Sequence, residues 1–142
     1  MTIKNLFCQN PKSNLKCPKE LLKYQRSRRT LRKKYLGKEV NIKIDRPIGY
    51  VHKKGEKTLV YPINYGYING VLGGDGEELD VYLVGVDTPV KTATCRIVGI
   101  VRRENDVEDK LIGVPNGMSF TKEELEAAVN FQEKYYVSYV EM

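Results

Sequence analysis

Histidine is nearly absent. The 142-residue chain has one, His52, standing among lysines in VHKKGEK. A Cys/His zinc site cannot be built on it, and a Ser/His/Asp triad would rest on what reads as a solvated loop. Cysteine is sparse: Cys8, Cys17 and Cys95 are an odd number without C-x-x-C spacing. They read as reduced thiols with no metal role. There is no run of about 18 apolar residues, which excludes a membrane-spanning helix. The opening MTIKNLFCQNPKSNLKCPKE has no apolar core or cleavage signature of a secretory signal, so a cytoplasmic location is expected. The D-x-(D/N)-x-(D/N)-G pattern of a calcium loop is missing, which rules out an EF-hand. No internal repeat and no linker divide the chain.

Hydrophobic residues make up 41% of the chain and charged residues 30%, a globular balance at a length that suits one compact domain. The net charge of +6 is uneven. KCPKELLKYQRSRRTLRKKYLGKEVNIK, from Lys16 to Lys43, is strongly basic, whereas carboxylates gather between Asp75 and Glu108. A basic face beside an acidic cluster fits a polyanion held by Lys, Arg and metal ions, and it also fits nucleic acid.

Residues 1–16 read as an extended arm. Pro18 suits the first turn of a helix, and Leu21, Tyr24, Leu31 and Tyr35 share one helical face, with Gly37 as the stop. An amphipathic helix with a basic outer face is expected over 18–36. The period then switches to two in VNIKID, a strand. TLVYPIN reads as a strand limited by Pro62, and YGYINGVL as a second after a bend at Gly66. Asp75-Gly76 is a hairpin signal. ELDVYLVGV, TATCRIVGIVRR and KLIGVP are further strands, with RENDVED a charged connection between the last two. Thr121 and Glu124 form a capping box for a helix expected from 122 to 136. The expected fold is mainly β with flanking helices. A basic arm and helix over 1–37 precede a small five-stranded, OB-like barrel domain over 38–142 that ends in a helix, with its strands taken as antiparallel.

The stretch that concentrates chemistry is YPINYGYINGVLGGDGEELDVYLVG, Tyr61 to Gly85. As a strand, ELDVYLVGV puts Leu79, Val81 and Leu83 on one face and Asp80, Tyr82 and Val84 on the other. Both faces are apolar enough to be covered, so Asp80 needs a partner. Asp75 and Glu77 lie within reach. A second acidic group, Glu104, Asp106, Glu108 and Asp109, is followed by Lys110; a hairpin would turn it towards the first. Carboxylates from two loops make an oxygen-rich pocket suited to Mg²⁺, which retains waters and binds phosphate oxygens. Two such ions can clamp a pyrophosphate and activate a water.

These two segments, with RIVGIVRRENDVEDKLIGVP, resemble the soluble Mg²⁺-dependent inorganic pyrophosphatases of the barrel-fold family. The resemblance covers about Val40 to Pro115. It lies in aromatic-P-x-N-Y-G-(F/Y)-(I/V), then D-G-D-P-(L/I/V)-D-(V/I)-L-V, then an acidic loop and D-x-K. It implies Mg²⁺ as cofactor, pyrophosphate or a related phosphoanhydride as substrate, and inorganic diphosphatase activity in the cytoplasm. Asp75 and Asp80 match metal ligands. Glu77 stands where an Asp accepts hydrogen bonds from the nucleophilic water. Glu108 stands for the Asp of D-x-K, Lys110 matches its lysine, and Asn105, Glu104 or Asp106 falls near a further metal-binding Asp, with Asp106 taken as the ligand. Tyr65 matches the tyrosine near the phosphates, Tyr135 resembles the late tyrosine on the C-terminal helix and is taken with Arg46 as substrate-binding, and Tyr136 stands where a phosphate-binding lysine would follow. The family's arginine and lysine before Tyr61 have no clear counterpart, and Arg46, Lys43, Lys53 and Lys54 substitute by composition. The alternative is a degenerate barrel that has lost hydrolysis and binds nucleic acid or another polyanion through its basic N-terminal helix. A third use of that helix is as a contact between copies in a homo-oligomer.

Overall fold

The computed structural model describes residues 33–72, 78–104 and 109–142. The alternating segments become β1 (Glu39–Arg46), β2 (Val51–Lys54), β3 (Lys57–Val60), β4 (Asn64–Leu72), β5 (Glu78–Leu83), β6 (Thr92–Arg103), β7 (Lys110–Val114) and β8 (Ser138–Glu141). One helix, α1 (Lys122–Glu133), lies between β7 and β8. Five strands in the order β1-β4-β5-β7-β6 close into a barrel because β1 also pairs with β6. β8 extends β6 on the outside, and β2 and β3 form a separate hairpin. The mainly-β barrel with a C-terminal helix is as the sequence predicts. The expected N-terminal helix lies, apart from its last residues, outside the described residues.

Four local expectations are corrected. The chain breaks at Pro62, which has no N–H for a ladder, and β4 runs straight through Gly66. A Cβ on Gly66 would lie 1.8 Å from the Lys43 carbonyl oxygen, so glycine is there for close strand approach rather than for a bend. β5 and β7 pair in parallel, not antiparallel. Five is odd, so directions cannot alternate all the way round a closed barrel, and at least one neighbouring pair must run parallel. α1 ends at Glu133 rather than 136, and the short β8 follows it. Its start is as read: the Thr121 side chain accepts from Glu124 N–H, and the Glu124 carboxylate accepts from Thr121 N–H.

The pleat sorts the core into two layers. Ile42, Ile68, Leu79, Val81, Leu83 and Leu111 fill the barrel interior with Cys95, Ile97 and Ile100. Tyr65, Tyr82, Val84, Val101, Ile112 and Val140 face outward, and Leu125 and Val129 of α1 cover them. Both faces of β5 are therefore buried, as its composition requires. Among the described residues no helix is long and apolar enough to cross a membrane.

Candidate functional site

Where α1 leaves the barrel wall uncovered, a cleft of about 630 Å³ opens between the wall, the β2–β3 hairpin and the C-terminal end of α1. Asp80 and Lys110 stand on its floor. The parallel register puts Val81 beside Leu111, which brings the residues before them together. The Lys110 ammonium donates to Asp80 Oδ2 at 2.7 Å. Lys110 is nearly fully buried, while the Asp80 side chain keeps 32% of its surface exposed. The expected costly carboxylate is thus half-open to the cleft and paired. The Lys110 Nζ also stands 5.5 Å from the centre of the Tyr65 ring. Burial first, and then the neighbouring Asp80 charge, hold the Tyr65 hydroxyl pKa well above its usual value, so it is protonated and a donor at neutral pH.

Two β-bulges aim arginines into this cleft. On β1, Ile44 pairs with Gly66, but Arg46 pairs with Tyr65. The extra residue, Asp45, turns Arg46 from the interior side to the Tyr65 side. Its guanidinium sits 5.5 to 5.8 Å from the ring centres of Tyr50, Tyr61 and Tyr65 and donates to the Tyr61 hydroxyl. Tyr61 in turn donates to Gln132 Oε1 of α1 at 3.0 Å. On β6, Ile97 pairs with Gly113 and Gly99 with Ile112, leaving Val98 as the extra residue. Cys95 and Ile97 point inward before this bulge, and Ile100 points inward after it, so Arg103 points out to the cleft.

Arg103 is fixed on two sides. Its Nε and Nη2 donate to Glu133 Oε1 and Oε2 at 3.0 and 2.6 Å, and its guanidinium carbon lies 3.8 Å from the centre of the Tyr136 ring. Glu133 also accepts from the Tyr82 hydroxyl at 2.6 Å. Burial opposes the Arg103 charge, but the Glu133 hydrogen bonds and charge more than offset it, raising its pKa. The next-door Arg102 faces the other way and pairs with Asp109 at 2.8 Å and Glu141 at 3.2 Å.

Tyr65, Asp80, Lys110, Arg46 and Tyr135 are therefore brought to one cleft, although they are scattered over about ninety positions of sequence. Asp75, Glu77, Asp106 and Glu108 lie outside the described residues. Among the described residues no three His, Cys, Asp or Glu side chains cluster as metal ligands. A hard cation would meet one described oxygen donor set, the Asp80 carboxylate, and that donor chemistry fits. The sequence reading missed Arg103, Glu133 and His52. His52 is on β2 and lines the cleft rather than sitting in a solvated loop. The signal available for Arg103 was Gly99, since glycine inside a strand marks a bulge and hence a change of face. The described lining carries Arg46, Lys54, Lys57, Arg103 and Lys110 against the single carboxylate Asp80. Such a surface receives an anion with several charges.

The family model for inorganic pyrophosphatase matches residues 28–138. Among curated proteins, the chain is 36% identical over 91 residues to an inorganic pyrophosphatase of Yersinia pestis, covering 59% of this chain and 51% of that protein. It is 29% identical over 87 residues to one of Campylobacter jejuni, covering 56% and 50%. The chain spans about half the length of these curated relatives. Among solved structures, an inorganic pyrophosphatase from Ehrlichia chaffeensis superposes with a TM-score of 0.53 at 24% identity, covering 75% of this chain and 85% of that one. One from Coxiella burnetii gives 0.55 at 20% identity, with the same coverage. At those identities the superpositions establish the barrel fold.

Proposed function

The chain belongs to the inorganic pyrophosphatase family, and on that premise we propose that it hydrolyses inorganic pyrophosphate to two phosphates with Mg²⁺. The observation that carries this reading is the Asp80–Lys110 pair on the floor of a cleft with five described cationic side chains. A carboxylate beside an ammonium can hold a hard cation on one side and a phosphate oxygen on the other. Asp75 and Glu77 precede β5 in the chain, and Asp106 and Glu108 precede β7. Those two strands run parallel side by side, which supports one shared acidic site.

In this reading Asp75, Asp80, Asp106 and Glu108 hold the metal, and Glu77 orients the attacking water and accepts its proton. The protonated Tyr65 hydroxyl and Lys110 donate to phosphate oxygens. Arg46, anchored on Tyr61, and Tyr135 at the rim bind the substrate. When bound, Mg²⁺ supplies charge neutralisation and lowers the pKa of water. The enzyme is read as cytoplasmic.

The test is phosphate release from pyrophosphate with and without Mg²⁺, beside a panel of nucleotides. Pyrophosphate should be cleaved only with the metal. Asp80→Asn should lower the rate by about a hundredfold or more, since even outer-shell changes at metal sites cost 10- to 100-fold. A wild-type rate in a folded Asp80→Asn protein overturns the site assignment. Metal-independent, salt-sensitive binding without phosphate release would favour the polyanion-binding alternative.

A further inference from the structure

The anchor of Arg46 does not end at Tyr61. The Tyr61 ring is buried, and Phe131 of α1 meets it edge-on with 5.0 Å between ring centres. A buried phenol needs partners for its hydroxyl. Arg46 can only donate, so the Tyr61 oxygen accepts from Nη1, and the phenol's own proton must go to an acceptor. That acceptor is Gln132 Oε1 at 3.0 Å, on the residue before the last of α1. Burial raises the Tyr61 pKa, and the Arg46 hydrogen bond and charge offset only part of the rise, so the hydroxyl keeps its proton to donate. A directed chain results, from Arg46 through Tyr61 to Gln132, and it ties the bulge of β1 to the end of α1. In a protein interior such a chain polarises along its length, so a hydroxyl that donates to Gln132 is a better acceptor for Arg46. Among the described residues Tyr61 is the one hydrogen-bond partner of Arg46, which leaves the rest of its donor fork for a ligand in the cleft it lines. An arginine loses rotamer freedom when it binds, and one held in place beforehand loses less.

We propose that Gln132 is a positioning residue of the substrate site: acting through the Tyr61 hydroxyl, it holds the Arg46 guanidinium in the orientation that receives the substrate anion. This rests on the reading that Arg46 binds a phosphate anion in this cleft. Gln132 needs no contact with the substrate to do so. The last turn of α1 thus sets the geometry of a side chain on β1, besides covering the barrel wall.

The test is a double-mutant cycle read by calorimetric binding of methylenediphosphonate, a diphosphate that cannot be hydrolysed, at fixed Mg²⁺. Gln132→Met keeps the length of the side chain and removes the amide acceptor. It should weaken binding about threefold or more, the range of one ordinary hydrogen bond, while Arg46 is present. In an Arg46→Met background the same change should leave binding unaltered. A smaller loss beside Arg46 overturns the proposal. So does a comparable loss without Arg46, which would mean that Gln132 touches the substrate or supports the fold on its own account. Should Gln132→Met fail to fold, Gln132→Ala takes its place under the same criteria. Should Arg46→Met bind too weakly to titrate, nitrogen-15 relaxation of the Arg46 Nε–H decides: its order should fall in Gln132→Met, and unchanged order overturns the proposal. Wild-type hydrolysis is assayed in parallel. Coupled diphosphonate binding without pyrophosphate cleavage would sink the hydrolytic reading and keep this one. No diphosphonate binding by wild type sinks both.

Discussion

Asp80 shows what a single residue can reveal and what it hides. A carboxylate inside an otherwise apolar strand must be compensated, so its importance was readable, and the resemblance named Lys110. Arg102 and Arg103 show the limit. They end the strand TATCRIVGIVRR where it runs into the charged connection RENDVED, and both are buried, with partners seven and thirty positions away. Charge pairing over such separations leaves no periodic trace. Cys95 is a quieter case, a free thiol inside the barrel. It is fully buried against Gly113 in the barrel interior, and desolvation first, then the Glu39 charge, push its pKa from 9.0 to about 11. A raised thiol pKa means that the folded state holds the proton more tightly. Its contribution to stability is therefore intact below pH 9 and is lost as pH rises towards 11. At pH 10.5 the loss is about 2 kcal/mol relative to pH 8. Urea unfolding of wild type and Cys95→Ala at the two pH values checks this. The wild type should lose about 2 kcal/mol more than the variant across that interval, and parallel losses would show that the thiol does not titrate there. Tyrosines with raised pKa add the same slope to both proteins and cancel.

At the scale of the element, alternation made most strands legible, and the capping box made the start of α1 legible to the residue. Interruptions were harder. Pro62 and Gly66 both read as breaks, but only proline removes a ladder donor, while Gly66 serves the close contact of β1 with β4. The four-residue β8 is too short for a period-two signal, and it forms because β6 offers an edge. The glycines give a graded prediction. An alanine Cβ at Gly66 meets Lys43 backbone oxygen at 1.8 Å, at Gly113 it meets Cys95 Sγ at 2.5 Å, and at Gly99 it meets a Val140 methyl at 3.2 Å. Backbone cannot yield without opening the β1–β4 ladder, a sulfur can rotate in part, and a methyl needs a small shift. Gly66→Ala should cost about 3 kcal/mol or more, Gly113→Ala about 1–3, and Gly99→Ala less than either. Thermal melts of the three variants read the order directly. If Gly66→Ala melted like wild type, the β1–β4 approach described for Ile44 and Gly66 would be wrong.

At the scale of the molecule, the number of short strands announced a small barrel, but not its closure. Closure brings β5 against β7 in parallel, and that one contact assembles the site, because it sets Asp80 beside Lys110. Hairpin logic, which joins strands adjacent in sequence, could not supply it. The same fold gathers Arg46, Lys54, Lys57, Arg103 and Lys110 at one cleft, in a chain of net charge +6. A cleft lined mostly by one sign of charge draws in an oppositely charged substrate and raises its encounter rate, and salt screens that attraction over about 8–10 Å at ordinary ionic strength. Lys54 and Lys57, on the β2–β3 hairpin, are the outer part of this field; Lys57 lies over the Tyr135 ring at 4.4 Å. The kcat/KM for pyrophosphate, measured at fixed free Mg²⁺, should therefore fall steeply as KCl rises from low to physiological levels. Replacing Lys54 and Lys57 together by Gln should lower kcat/KM most at low salt and flatten the dependence, so that the two proteins converge at high salt. A constant ratio at every salt concentration would mean that the hairpin lysines act by direct contact with the substrate rather than through the field.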